Sequence, residues 1–151
     1  MAILKSGKPI PLFSSTLQDG SAITSADLSK GKVILYFYPQ DNTPTCTEEA
    51  CNLRDHYTSL IKAGYKIYGV SPDSIRKHQN FIKKFSLPFD LISDPDLDII
   101  KKFGVWGPKV LFGREYDGVL RTTFIVNDGV IVKVIDEVKA RIHASQILAQ
   151  G

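Results

Sequence analysis

The chain has 151 residues, 43% of them hydrophobic and 23% charged, which suits one folded domain and argues against disorder or a fibrous repeat. A formal charge of +3, dispersed among interleaved acids and bases, leaves no nucleic-acid footprint. The longest apolar stretch, Val33 to Tyr38, is far too short for a membrane span, and the first eight residues lack the apolar core of a secretory signal. The expectation is a cytoplasmic protein with neither a nucleic-acid nor a membrane partner. Two cysteines do not make a secreted disulfide scaffold, so they are buried thiols, metal ligands or redox groups, and their spacing must decide.

No repeat, low-complexity tract or linker interrupts residues 1–151, which read as a single domain. Short apolar groups flank Gln18-Asp19-Gly20-Ser21 and predict an N-terminal β-hairpin within 11–24. Lys32 to Tyr38 is β-branched and aromatic almost without a break, the pattern of a strand buried on both faces, and Pro39 ends it. From Cys46 to Ala63, apolar residues at Ala50, Leu53, Tyr57, Leu60 and Ile61 mark one helical face; Thr45 is the expected N-cap and Gly64 the stop. Tyr65 to Val70 is a second strand, giving a parallel βαβ unit.

The pattern then recurs more loosely. Ser71-Pro72-Asp73 predicts the opening of a helix that runs to about Phe85, followed by a short strand at Phe89 to Ile92. Asp94-Pro95-Asp96 predicts another helix ending at Gly104, and Val105 to Leu120 reads as irregular. Arg121 to Val126 and Val130 to Ile135 are strands joined by Asn127-Asp128-Gly129, a hairpin signal, and a last helix covers about Val138 to Ala149. The order predicts an α/β protein of thioredoxin-like fold, with a mixed central β-sheet flanked by helices.

Chemistry concentrates where the buried strand hands over to the first long helix, Tyr38 to Cys51, the place where open α/β sheets usually form sites. Cys46 falls in the first turn of that helix, where unpaired N–H groups and the positive end of the dipole favour thiolate, the nucleophilic form. Cys51 follows five residues later. An ideal helix would separate their Cα atoms by roughly 8–9 Å and rotate them about 140° apart. A disulfide needs about 7 Å or less, so the two can bond only if the helix start unwinds. Cys-x4-Cys does not fit the Cys-x-x-Cys of a thioredoxin-type reductase. A zinc or copper site needs at least three convergent ligands, and the histidines supply none readily. His78 lies on a core-facing stripe and reads as a satisfied, partly buried side chain; His56 and His143 read as surface residues. Lys83-Lys84 and Lys101-Lys102 read as solvated helix faces.

Pro39-x-x-x-Thr43-x-x-Cys46 resembles the active-site motif of the peroxiredoxins, and Cys46 followed by Cys51 resembles their bacterioferritin comigratory protein, or peroxiredoxin Q, branch. Further likeness lies in Phe103-Gly104-Val105-Trp106-Gly107, and in Tyr116-Asp117-Gly118 before Arg121-Thr122-Thr123-Phe124. The resemblance implies a thiol peroxidase acting on hydrogen peroxide and organic hydroperoxides. Cys46 would be the peroxidatic and Cys51 the resolving cysteine, forming an internal disulfide reduced by thioredoxin or a glutaredoxin-like dithiol. It also implies that Thr43 hydrogen-bonds the peroxide and that Arg121 stabilises thiolate and polarised O–O bond. Pro39 would shield the site and Glu49 orient the arginine. Taken alone, Thr43 reads as a turn residue and Arg121 as a strand-end surface charge. At Thr45 the chain departs from the glycine common in that family. No metal, haem or flavin cofactor is expected, and internal resolution suits a monomer. The rival readings are a metal-binding protein of the same fold and a redox sensor that passes its disulfide to a partner.

Overall fold

The computed structural model describes residues 2–150. Its centre is β3 (Lys32–Phe37), which pairs in parallel with β4 (Tyr65–Ser71) on one side and antiparallel with β8 (Thr122–Asn127) on the other. Hydrogen-bonded along both edges, this strand needs apolar side chains on both faces, which explains its unbroken hydrophobic run. Its side chains alternate between two cores. Ile34, Tyr36 and Tyr38 enter one with Ala50, Leu53, Leu60, Phe81 and Ile147. Val33, Leu35 and Phe37 enter the other with Ile99, Ile100, Phe103, Val119 and Phe124.

The remaining strands are β1 (Ser14–Leu17), β2 (Ala22–Thr24), β5 (Asp90–Ser93) and β9 (Val130–Ile135). They complete a mixed seven-stranded sheet of order β2-β1-β5-β4-β3-β8-β9. The expected N-terminal hairpin is β1–β2, added antiparallel to β5. The expected second hairpin is β8–β9, turning at Asp128 and Gly129, both at positive φ. Among the described residues no helix is long and apolar enough to cross a membrane.

Several boundaries differ from the expectations for local physical reasons. The first helix begins at Pro44 with Thr43 as its N-cap, two residues before the predicted cap, because proline suits the first helical position. It also divides into α1 (Pro44–Asp55) and α2 (Tyr57–Lys62). At the break, the His56 ring contacts the Asn52 carbonyl at 2.9 Å, beside the His56 N–H that donates to the same oxygen at 3.2 Å. α3 (Ile75–Phe85) starts later than predicted: Ser74 caps it, accepting from Lys77 N at 3.3 Å, while Asp73 is engaged elsewhere.

α4 spans only Asp98–Lys102, with the Asp94 carboxylate accepting from the backbone N–H groups of Ile99 and Ile100 at 3.2 and 2.8 Å. The stretch expected to be irregular is a separate hairpin, β6 (Trp106–Leu111) and β7 (Arg114–Val119), turning through Phe112 and Gly113 at positive φ. Its Gly, Pro and Asp content and exposed tip hide the strand pattern from the sequence. The last helix, α5, is shorter than predicted and runs His143–Leu148 after a single 3-10 turn at Ala140–Ile142.

Candidate active site

Cys46 lies in the first turn of α1, just past the carboxyl end of β3, and is buried with 2% exposure. The first i to i−4 bond of α1 runs from Thr47 N to Thr43 O, so the N–H groups of Thr45 and Cys46 precede the helical ladder. Arg121, immediately before β8, donates from Nη2 to Cys46 Sγ at 3.2 Å and from Nη1 to Glu49 Oε1 at 2.7 Å. Sheet pairing explains the approach. β8 runs antiparallel to β3 with Thr122 opposite Phe37, which brings the start of β8 beside the carboxyl end of β3. Burial opposes the guanidinium charge, but Glu49 and Cys46 outweigh it and raise the pKa of Arg121.

Glu49 is completely buried, and burial pushes its carboxyl pKa up to about 7 although Arg121 pulls it down. Its Oε2 has no hydrogen-bond partner among the described residues, nor has the buried Tyr36 hydroxyl on β3. His143, expected at the surface, is instead fully buried where the start of α5 packs on the sheet. It contacts Thr123 Oγ1 at 2.7 Å and Gln146 Oε1 at 2.9 Å, and stands 3.5 Å from Glu49 Oε2. Burial pushes its pKa down to about 4, so near neutral pH the ring is uncharged and its approach to Glu49 is not an ion pair. No periodicity flagged this residue, because α5 is only six residues long.

The loop joining β3 to α1 has its own buried anchor. Asp41 accepts from the Tyr38 hydroxyl at 2.5 Å and sits 2.7 Å from His78 Nδ1, while its backbone N–H donates to Asp73 Oδ2 at 2.7 Å. Ser71 Oγ donates to the same Asp73 oxygen at 2.6 Å, and His78 Nε2 lies 3.1 Å from the Ile92 carbonyl. His78 is therefore satisfied, as expected, but wholly rather than partly buried. Asp41, Asp73 and His78 are the one group of three potential metal donors that converges among the described residues, and it contains neither cysteine.

The expected site residues divide. Cys46, Glu49 and Arg121 meet directly. Cys51 is half-buried further along the same unbroken helix, and both thiols are free. Thr43 is the N-cap, with its hydroxyl donating to the Gln40 carbonyl at 3.0 Å. Pro39 is half-buried at the strand end, and Thr45 is exposed. Sequence reasoning missed His143, Tyr36, Asp41 and Lys109. Burial and the charge of Arg121 hold the Lys109 ammonium pKa below its usual value, while Cys46 acts the other way. The ammonium donates to the Val119 carbonyl at 2.8 Å.

The AhpC/TSA family model matches residues 6–135. The putative peroxiredoxin bcp of Coxiella burnetii is 42% identical over 145 residues, covering 95% of this chain and 96% of that protein. Peroxiredoxin Bcp of Escherichia coli K12 is 41% identical over 146 residues, covering 96% and 94%. Among solved structures, a cysteine-to-serine mutant of Xanthomonas campestris peroxiredoxin Q superposes with a TM-score of 0.88 at 32% identity, covering 97% of each chain. The bacterioferritin comigratory protein of the same organism, studied for alkyl peroxide reduction, superposes at 0.86 and 32% identity, covering 98% of this chain and 94% of its own. With this fold and a buried cysteine bonded to an arginine at a helix start, the chain belongs to the AhpC/TSA family, in its peroxiredoxin Bcp and peroxiredoxin Q branch of thiol-dependent peroxidases.

Proposed function

We propose that Cys46 is the peroxidatic cysteine and Cys51 the resolving one, in a cycle on hydrogen peroxide and organic hydroperoxides. The observation that carries this reading is the Arg121 fork, one arm on Cys46 Sγ at 3.2 Å and the other on Glu49 at 2.7 Å. The thiolate attacks the nearer peroxide oxygen: an S–O bond forms, the O–O bond breaks, and the leaving alkoxide or hydroxide takes a proton. Arg121 donates to the charge that develops, and its second partner fixes its orientation in advance. Thr43 can add a donor once its hydroxyl turns from Gln40, and Pro39 limits water at the same end of the strand.

Cys51 then attacks the Cys46 sulfenic acid; the S–S bond forms, the S–O bond breaks and water departs. Two thiols have supplied the two electrons taken by the peroxide. Because both cysteines lie in α1, this step requires the helix start to open. A thioredoxin or glutaredoxin-like dithiol restores the thiols by exchange, which suits the reducing cytoplasm. Resolution inside one helix needs no second subunit, in keeping with a monomer.

The test is mass spectrometry of wild type and Cys51→Ser after one equivalent of hydrogen peroxide. An internal Cys46–Cys51 disulfide in the first and a Cys46 sulfenic acid in the second are expected. A stable sulfenic acid in wild type would remove Cys51 from the cycle.

A further inference from the structure

Glu49 lies between the two cysteines on the very segment that disulfide formation must open, yet it is one of the most deeply buried polar residues of the molecule. The groups facing it are Cys46 on its own helix, Tyr36 on β3, Arg121 before β8 and His143 on α5. Among the described residues only Arg121 bonds it, through Oε1. What faces Oε2 follows from the hydrogen bonds of His143. Gln146 Oε1 accepts from Lys139 N at 2.9 Å while its Nε2 donates to Glu137 O at 2.9 Å, so its amide orientation is fixed. His143 Nδ1 must then carry the proton donated to Gln146 Oε1, and Nε2 is the bare nitrogen of the neutral ring. That lone pair receives the Thr123 hydroxyl at 2.7 Å and has no hydrogen to offer Glu49 Oε2 at 3.5 Å. An ionised Oε2 would be a buried anionic oxygen facing a lone pair with no donor, an arrangement that protonation removes.

We infer that Glu49 is the latch of the resolving step: it occupies this pocket carrying a proton, and the opening of α1 that brings Cys51 to Cys46 releases that proton to solvent. The inference rests on the cycle proposed above. Glu49 acts here as a positioning residue, since it touches Arg121 and not the substrate. The carboxyl titrates at about 7 when buried and returns to the ordinary value of 4.5 when exposed. Between those values the closed helix binds the extra proton, so rising pH favours the open, disulfide-bonded form by up to about tenfold per pH unit. Near neutrality the latch loosens, and resolution of the sulfenic acid becomes easier.

The test oxidises wild type and Glu49→Gln with one equivalent of hydrogen peroxide at pH 6 in weakly buffered solution with an indicator dye. Mass spectrometry of the same samples counts the disulfides. Wild type should release close to one proton more per disulfide than the variant, roughly 0.9 from the two pKa values. Should Glu49→Gln not fold, wild type alone suffices. The infrared carbonyl band of a buried protonated carboxyl should be present in the thiol form and vanish in the disulfide form. Equal proton release, or a band that survives oxidation, would overturn the latch while leaving the cysteine cycle standing. Absence of the disulfide in wild type would overturn both.

Discussion

Arg121 reaches Cys46 Sγ across 3.2 Å from a position 75 residues further along the chain, and its other arm is held by Glu49 from inside the cysteine's own helix. The arginine is therefore aimed before any peroxide arrives, which is the condition under which a hydrogen-bond donor contributes most to a reaction. Removing it should separate catalysis from folding. We predict that Arg121→Ala lowers the second-order rate with hydrogen peroxide by about 10²–10³-fold. Its fold should persist, because Glu49 can stay buried as a neutral acid. Arg121→Lys should recover little, since one ammonium cannot serve both partners as the planar fork does. Stopped-flow kinetics beside thermal unfolding checks both; an unaltered rate in Arg121→Ala would exclude it from the site.

Oxidation should melt the helix that holds the cysteines. We predict that the disulfide form loses far-UV helical signal and amide-exchange protection at the start of α1, while β3 and β8 keep theirs. Unchanged protection across 46–51 would contradict the geometry of an intact helix.

Asp41 and His78, both buried, anchor the loop between Pro39 and Thr43 from below. Removing the histidine keeps the Tyr38 hydroxyl on one Asp41 oxygen but leaves the other without its partner, which should cost about 1–3 kcal/mol. We predict this loss for His78→Ala in chemical denaturation, together with a slower peroxide reaction as the loop that presents Cys46 relaxes. A variant of native stability would show that the pair is not the anchor.

Glu49 and His143 act in opposite senses on the pH dependence of global stability. Glu49 binds its proton more tightly in the fold, so its contribution is complete below 4.5 and is lost as pH rises to about 7. His143 binds its proton less tightly in the fold, so its contribution is present above 6.5 and is lost as pH falls to about 4. Between 4.5 and 6.5 the two largely cancel on complete unfolding. We predict that Glu49→Gln uncovers the histidine's effect, giving thermal stability that rises more steeply with pH over that window than in wild type.

Among the described residues the buried Tyr36 hydroxyl has no hydrogen-bond partner. Removing an unsatisfied polar group of the same shape costs nothing in hydrogen bonds. Tyr36→Phe should therefore be neutral or slightly stabilising; a loss above about 1 kcal/mol would reveal a bond that the hydroxyl makes.

Features that depend on neighbours along the chain were legible in the residues alone. The apolar run at 33–38 can only be a strand covered on both faces, Cys46 must fall at a helix start, and Asn127-Asp128-Gly129 must turn. The spacing to Cys51 already required the helix to open if the pair is to bond. Local rules failed where distant groups supplied the partner. Ser71, the expected cap, instead ends β4 and donates its hydroxyl to Asp73, whose same oxygen accepts from the backbone of Asp41. The 106–119 hairpin carries turn residues that mask its strands. Folding in three dimensions was needed to place Arg121 and Glu49 around Cys46, since that meeting depends on the antiparallel register of β3 and β8. It also buried His143 behind them, because burial is decided by what packs across the sheet and not by the residues next in line.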